Sequence, residues 1–170
     1  NITIDYVFAS EEYANVDVCT SQEGVVILIK ESGAADNTYV NVATIPGTST
    51  PVTVSNIHEE IISPACNASN ESYLGGARGS NTLPNYSQYT TPLQAQTNTV
   101  INTEYTVKII IADQEDGNFD SAVFVGPIDN EQEIDISATF TSNGSSVSIT
   151  EIGTDKVIDE CGQGVVLQLD

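Results

Sequence analysis

Tyr105-Thr106-Val107-Lys108-Ile109-Ile110-Ile111-Ala112, then Asp113-Gln114-Glu115-Asp116-Gly117-Asn118-Phe119-Asp120, then Ser121-Ala122-Val123-Phe124-Val125. An apolar, β-branched run enters an acidic turn and a second apolar run leaves it. Each run is too short for a well-formed helix and is rich in residues that fit a pleated surface, so both read as strands. The four carboxylates between them repel one another. At about 4 Å and an effective dielectric near 20, a close pair costs roughly 4 kcal/mol. A loop that splays into water relieves that repulsion, and so does a bound cation. Calcium takes six to eight oxygens from carboxylates, amides, carbonyls and water. Asp113, Asp116, Asn118 and Asp120 offer such oxygens, and Gly117 permits a tight bend. The segment is not an EF-hand: Gly117 stands one place early, and the twelfth position counted from Asp113 is Phe124 rather than Glu.

The same period-two patterning recurs outward from this stretch. Ile2, Ile4, Tyr6 and Phe8 share one face of a first strand, with Thr3 and Asp5 opposite. Gly24 to Lys30 is a continuous apolar run and reads as a strand buried on both faces. Tyr39 to Ile45 and Pro51 to Ser55 read as strands joined by the turn-rich segment Pro46 to Thr50. Regularity fades from His58 to Pro92, where Gly75-Gly76, Gly79 and Pro84 mark a long loop region of the kind that carries function. Strands resume over Thr99 to Ala112, Ser121 to Val125, Glu133 to Thr141, Ser146 to Ile152 and Gly164 to Leu169. Asn143-Gly144 is a hairpin signal. No amphipathic helix of useful length is apparent. Many short strands separated by turns predict an all-β fold, a jelly-roll-like antiparallel β-sandwich with long loops at one end.

Composition narrows the function classes. Four Lys and Arg stand against 24 Asp and Glu in 170 residues, a formal charge of −20. Nucleic acid and anionic membrane surfaces reward the opposite sign and are poor partners. No stretch has the length of a transmembrane helix or reads as a signal peptide. The chain opens at Asn1 directly inside a strand and contains no Met, which suggests a piece of a longer protein. The three cysteines imply one disulfide and one further thiol. Cys19 and Cys66, both in polar loop-like surroundings, are the favoured pair, with Cys66–Cys161 open as the alternative. Zinc is disfavoured because there is no Cys-x-x-Cys and His58 is the sole histidine. The sequons at Asn1, Asn67, Asn70, Asn85 and Asn143 read as outcomes of an Asn/Ser/Thr-rich composition.

Catalytic readings fare poorly. A nucleophilic Ser121 needs a nearby base, and His58 lies in a distant polar segment, read as loop surface. A glycosidase lines its cleft with aromatics, and this chain has no Trp. Gly75-Gly76-Ala77-Arg78-Gly79-Ser80 lacks the ending of a phosphate loop. Arg78 instead suggests a carboxylate clamp or a structural ion pair. Tyr73, Tyr86 and Tyr89 flank the same loop as candidate ligand contacts. A second acidic feature, Glu11-Glu12, follows the first strand. In extended chain only one of the two faces a given site, unless the strand has already turned.

Phe8-Ala9-Ser10-Glu11-Glu12-Tyr13, Ile45-Pro46-Gly47-Thr48-Ser49-Thr50-Pro51-Val52, Tyr89-Thr90-Thr91-Pro92-Leu93, Ile111-Ala112-Asp113 and Asp120-Ser121-Ala122-Val123-Phe124 occur in that order. The series resembles the choice-of-anchor L domain of large bacterial surface proteins, common in Bacteroidetes adhesins including those of the gliding-motility type. The resemblance runs from Asn1 to about Gly126. It implies an extracellular, non-enzymatic module on a secreted, surface-anchored protein, and an upstream Gly-rich portion that is not part of this chain. It also directs attention to the two acidic segments. If the strands before Glu11 and before Asp113 are neighbours in one sheet, both loops emerge at one end, and Glu11 or Glu12 completes a calcium cage with Asp113, Asp116 or Asp120. The expected partners are a cell-surface glycan or peptide and neighbouring modules of the same long chain; a structural spacer is the alternative. The expected organisation is a sandwich core over 1–127, strands over 128–152 completing it, and a linker or the start of an Ig-like module over 153–170.

Overall fold

The computed structural model describes residues 1–14, 18–62, 65–76, 86–112, 119–130, 138–142, 145–146, 150–152, 155–160 and 166–169, with side chains up to residue 126. Its strands are β1 (Ile2–Ser10), β2 (Gly24–Glu31), β3 (Val40–Asn41), β4 (Val52–Thr53), β5 (Gln88–Tyr89), β6 (Leu93–Thr97), β7 (Tyr105–Ala112), β8 (Ser121–Asn130), β9 (Ala138–Ser142), β10 (Ser145–Ser146), β11 (Thr150–Ile152), β12 (Asp155–Glu160) and β13 (Val166–Leu169). They form two antiparallel sheets. One runs β11-β12-β8-β1-β5, with β6 also on β1; the other runs β10-β9-β13-β7-β2-β3, with β4 also on β2.

The period-two pattern decides what lies between the sheets. Ile4, Tyr6, Phe8 and Val123 from the first sheet meet Val25, Ile27, Val107, Ile109 and Ile111 from the second in one continuous core. β1, β2, β6 and β7 send alternate residues inward, the arrangement of a β-sandwich. β2 departs from its expected burial on both faces. Val25, Ile27 and Ile29 are buried, whereas Val26, Leu28 and Lys30 on the other face are only partly covered.

The expected strand Thr99 to Ala112 contributes only β7, from Tyr105, after a turn in which Asn102 has φ 60°. Two further expected strands are shorter than their sequence suggests, for local reasons. The Tyr39–Ile45 run contributes only β3. There the Asn41 side-chain oxygen accepts from the Ile27 and Ala43 amides, at 3.1 and 3.0 Å, and displaces the regular ladder. After β4 the chain tightens into a 3-10 turn over Val54–Asn56, because the Thr53 hydroxyl caps the Asn56 amide at 3.2 Å.

β1 and β7 prove to lie in opposite sheets rather than side by side. The two acidic segments still start from one end of the sandwich. Ser10, the end of β1, pairs with Ser121, the start of β8. Ala112, the end of β7, pairs with Gly24, the start of β2. Ala112 and Ser121, in opposite sheets, therefore both stand at that end. Residues 153–170, expected as a linker or a new module, carry β12 and β13. β12 pairs with β8, and β13 lies between β7 and β9. These strands take up the hydrogen-bonding edges of β8 and β7 that would otherwise stand open.

Candidate functional site

The end of the sandwich where β1, β2, β7 and β8 converge collects buried carboxylates and hydroxyls. β1 stops at Ser10, and Glu12–Ala14 forms a 3-10 turn closed by the Ala14 amide on the Glu11 carbonyl at 2.9 Å. Because the strand has turned, the strict alternation of neighbours in extended chain no longer applies to Glu11 and Glu12. Glu11 is locked to Asp120: its amide donates to the Asp120 carbonyl at 3.0 Å, and its Oε2 accepts from the Asp120 amide at 3.1 Å. Glu12 is only 6% exposed, so it is not a solvated strand end, and its amide donates to Ser10 Oγ at 3.0 Å.

A third carboxylate lies deeper. Glu23, 2% exposed, immediately precedes β2. Its Oε2 accepts from the hydroxyls of Ser10 and Ser121, each at 3.1 Å. One carboxylate oxygen on the second sheet thus ties together the two serines that face each other across β1 and β8 in the first. Glu23 escaped the sequence reading. A signal was present nonetheless: a single charged residue directly abuts the most apolar run in the chain, followed by a glycine. That glycine is needed, since a Cβ on Gly24 would lie 2.4 Å from the Val52 carbonyl oxygen.

Asp120 supplies the most telling atom. Its Oδ1 is buried without a hydrogen-bond partner. Buried polar atoms are almost always paired, so an orphan oxygen on an ionisable group asks for an explanation. The phenol of Tyr13, fully buried beside this turn in the sequence, is likewise without a partner, and burial pushes its ionisation well above the ordinary tyrosine range. The described ion pair, Lys30–Asp36 at 2.9 Å, stands near the opposite end of β2, about 20 Å away along the strand. Asp113, Asp116 and Asn118 lie outside the described residues, as do Arg78 and Cys161.

The tyrosines pack against the sandwich, and the histidine is buried. Tyr86 is buried and meets Phe124 edge-on at 6.2 Å, in a small second core with Ala9 and Ala122. It is a packing residue rather than an open ligand contact, because its ring fills the outer face of β1 and β8. Tyr89 packs against the same cluster, and its ring approaches Gly75 so closely that a Cβ there would sit 2.6 Å away. Tyr73 packs against the main core. His58, expected on a loop surface, is 3% exposed. It lies against the disulfide between Cys19 and Cys66, whose Cα atoms are 6.2 Å apart.

With this geometry stands a match over residues 1–127 to the family model of the choice-of-anchor L domain. The chain belongs to that family. Comparison with curated proteins and with solved structures gave no match. As a choice-of-anchor L domain, the chain is a module of a surface-associated protein. Among the described residues no helix is long and apolar enough to cross a membrane. The family match covers Glu11, Glu12, Glu23 and Asp120 together, and ends within β8.

Proposed function

We propose that this choice-of-anchor L domain is a calcium-stabilised, non-enzymatic binding module of a secreted bacterial adhesin. The observation that carries the calcium reading is the buried, unpartnered Oδ1 of Asp120. It stands on a residue whose backbone is clamped to Glu11, at the sandwich end where Glu12 and Glu23 are buried. A hard cation would give that oxygen a partner and offset the mutual repulsion of the carboxylates. Glu11, Glu12 and Asp120 are the candidate ligands from the sandwich, and Asp113, Asp116 and Asn118 those from the acidic loop. The ion would tie the turn after β1 to the start of β8, which Glu11 and Asp120 already join.

Two kinds of role follow for the module. In the first, the metal touches glycan hydroxyls or a peptide carboxylate directly. In the second, it only rigidifies the sandwich end, and the domain spaces its neighbours in a stalk. The burial of Tyr86 narrows the first role, leaving the half-buried Tyr73 and Tyr89 as the aromatics within reach of a ligand. Titration calorimetry with calcium, and melting with and without a chelator, test the metal. At one hundred times the dissociation constant, binding contributes about 2.7 kcal/mol. At roughly 2–4 °C per kcal/mol for a chain of this length, the melting temperature rises by about 5–11 °C. No heat of binding and an unchanged melt would overturn the calcium reading. Glycan and peptide arrays run with calcium and then with chelator separate adhesin from spacer, with silence on both favouring the spacer.

A further inference from the structure

Besides the carboxylates, the fold gathers Cys19, His58 and Cys66, whose ligand atoms all lie within 4.8 Å of one another. Nothing in their spacing announces this. His58 and Cys66 stand on a small antiparallel ladder: His58 bridges Ser69, and Ile61 bridges Cys66, with amide–carbonyl distances of 2.8–3.0 Å. Cys19 reaches them from the turn after β1. His58 Nδ1 lies 2.8 Å from the Glu59 carbonyl oxygen. A carbonyl only accepts, so Nδ1 carries the proton and Nε2 carries the lone pair. That Nε2 is 4.0 Å from Cys19 Sγ and 3.9 Å from Cys66 Sγ.

An imidazole with one nitrogen held by a backbone carbonyl and the other within 4.0 Å of two sulfurs has the outer-shell support typical of a metal-ligating histidine. Cys66 Sγ, also 3.9 Å from Nδ1, lies beside the ring, and the turn of its side chain that release from Cys19 allows would bring it toward Nε2. In tetrahedral zinc, with Zn–S near 2.3 Å and Zn–N near 2.0–2.1 Å, the nitrogen–sulfur edge is about 3.6 Å. The observed separations exceed that by only a few tenths of an ångström. While the sulfurs are bonded to each other they are poor ligands, since the thiolate is the metal-binding form.

We propose that reduction of the Cys19–Cys66 disulfide converts this cluster into a two-cysteine, one-histidine site for zinc. A dithiol reductant supplies two electrons and two protons and becomes a disulfide itself, leaving two protein thiols. Zinc then displaces both thiol protons to solvent, and its two positive charges are neutralised by the two thiolates while His58 binds as the neutral ring. Cys66 and His58 are buried and Cys19 is exposed, so the fourth position opens to solvent on the Cys19 side. The segment between Cys19 and Cys66 thereby stays closed in both redox states, by a covalent bond in one and by a metal in the other.

The test uses the full chain carrying Cys161→Ser, so that the thiols counted are those of Cys19 and Cys66. The disulfide is reduced with a water-soluble phosphine, because dithiols themselves bind zinc. Cobalt(II) is added as the spectroscopic probe and then displaced with zinc. The expected result is one cobalt per reduced chain, with thiolate-to-cobalt charge transfer and tetrahedral ligand-field bands, and none in the oxidised chain. His58→Ala should weaken zinc by more than the roughly tenfold that even outer-shell changes cost. Because His58 is the sole histidine, nitrogen NMR of the reduced, zinc-loaded chain reads its Nε2 without any variant. A reduced chain that keeps its circular dichroism and two free thiols yet shows no charge-transfer band overturns the proposal. So does an imidazole Nε2 resonance that zinc leaves unmoved, which would mark His58 as packing beside the disulfide only.

Discussion

Replacing Glu23 separates charge from hydrogen bonding at the sandwich end. Its Oε2 accepts from Ser10 and Ser121, each at 3.1 Å, and both serines are buried. Glu23→Gln deletes the charge but keeps an oxygen within reach of both hydroxyls. Glu23→Met deletes the charge and the acceptor while holding the volume nearly constant. The relief of repulsion against Glu12 and the other nearby acids is common to both variants and cancels when they are compared. What remains is two buried hydroxyls that lose an acceptor, at about 1–3 kcal/mol each, or roughly 2–6 kcal/mol in total. At roughly 2–4 °C per kcal/mol, the Met variant should melt at least about 4 °C below the Gln variant by scanning calorimetry in chelator. Adding Ser10→Ala and Ser121→Ala to the Met background should recover most of that gap, since removing both partners is far cheaper than orphaning one. If the Met variant melts level with the Gln variant, the serine–glutamate bridge between the sheets carries no stability and the reasoning fails.

Two other outcomes follow from the same coordinates. Gly24→Ala should destabilise by about 1–3 kcal/mol, because its Cβ would meet the Val52 carbonyl oxygen at 2.4 Å, and a backbone atom in a ladder cannot step aside; chemical denaturation checks this, and a neutral result would refute it. Tyr6 and Tyr13 are pushed well above the ordinary tyrosine range by burial. A group whose folded pKa is raised contributes stability that is full below its unfolded value, near 10 for tyrosine, and lost as pH climbs above it. In an ultraviolet titration these two phenols should therefore ionise only together with alkaline unfolding, and ionisation in a chain with native circular dichroism would contradict their burial.

The sandwich was legible because its cause is local. Ile2, Ile4, Tyr6 and Phe8 alternate, and the runs at Gly24 and Tyr105 are β-branched, so strand positions follow from side-chain chemistry. Lengths were less legible where a side chain competes with the ladder, as Asn41 and Thr53 do. The acidic segments could be flagged from sequence, but their relation could not: neighbouring strands in one sheet and facing strands in two both bring loops to one end. Glu23 was invisible for a related reason. A lone carboxylate before a strand reads as solvated unless one knows that two serines, 13 and 98 residues away in sequence, will meet it. His58 likewise reads as surface until the ladder to Ser69 folds it inward against Cys19 and Cys66.

The attachment of β12 to β8 and of β13 to β7 bears on how the chain is made. The stretch recognised as the family's domain ends at residue 127. Synthesis delivers that stretch before the strands that cap its two central edges. In the interval, β7 and β8 present unpaired amides and carbonyls to whatever lies nearby, including the same edges on another chain. Until β12 and β13 arrive those edges are open to pairing between chains, and a stall or cleavage before them would leave an edge-exposed, aggregation-prone remnant.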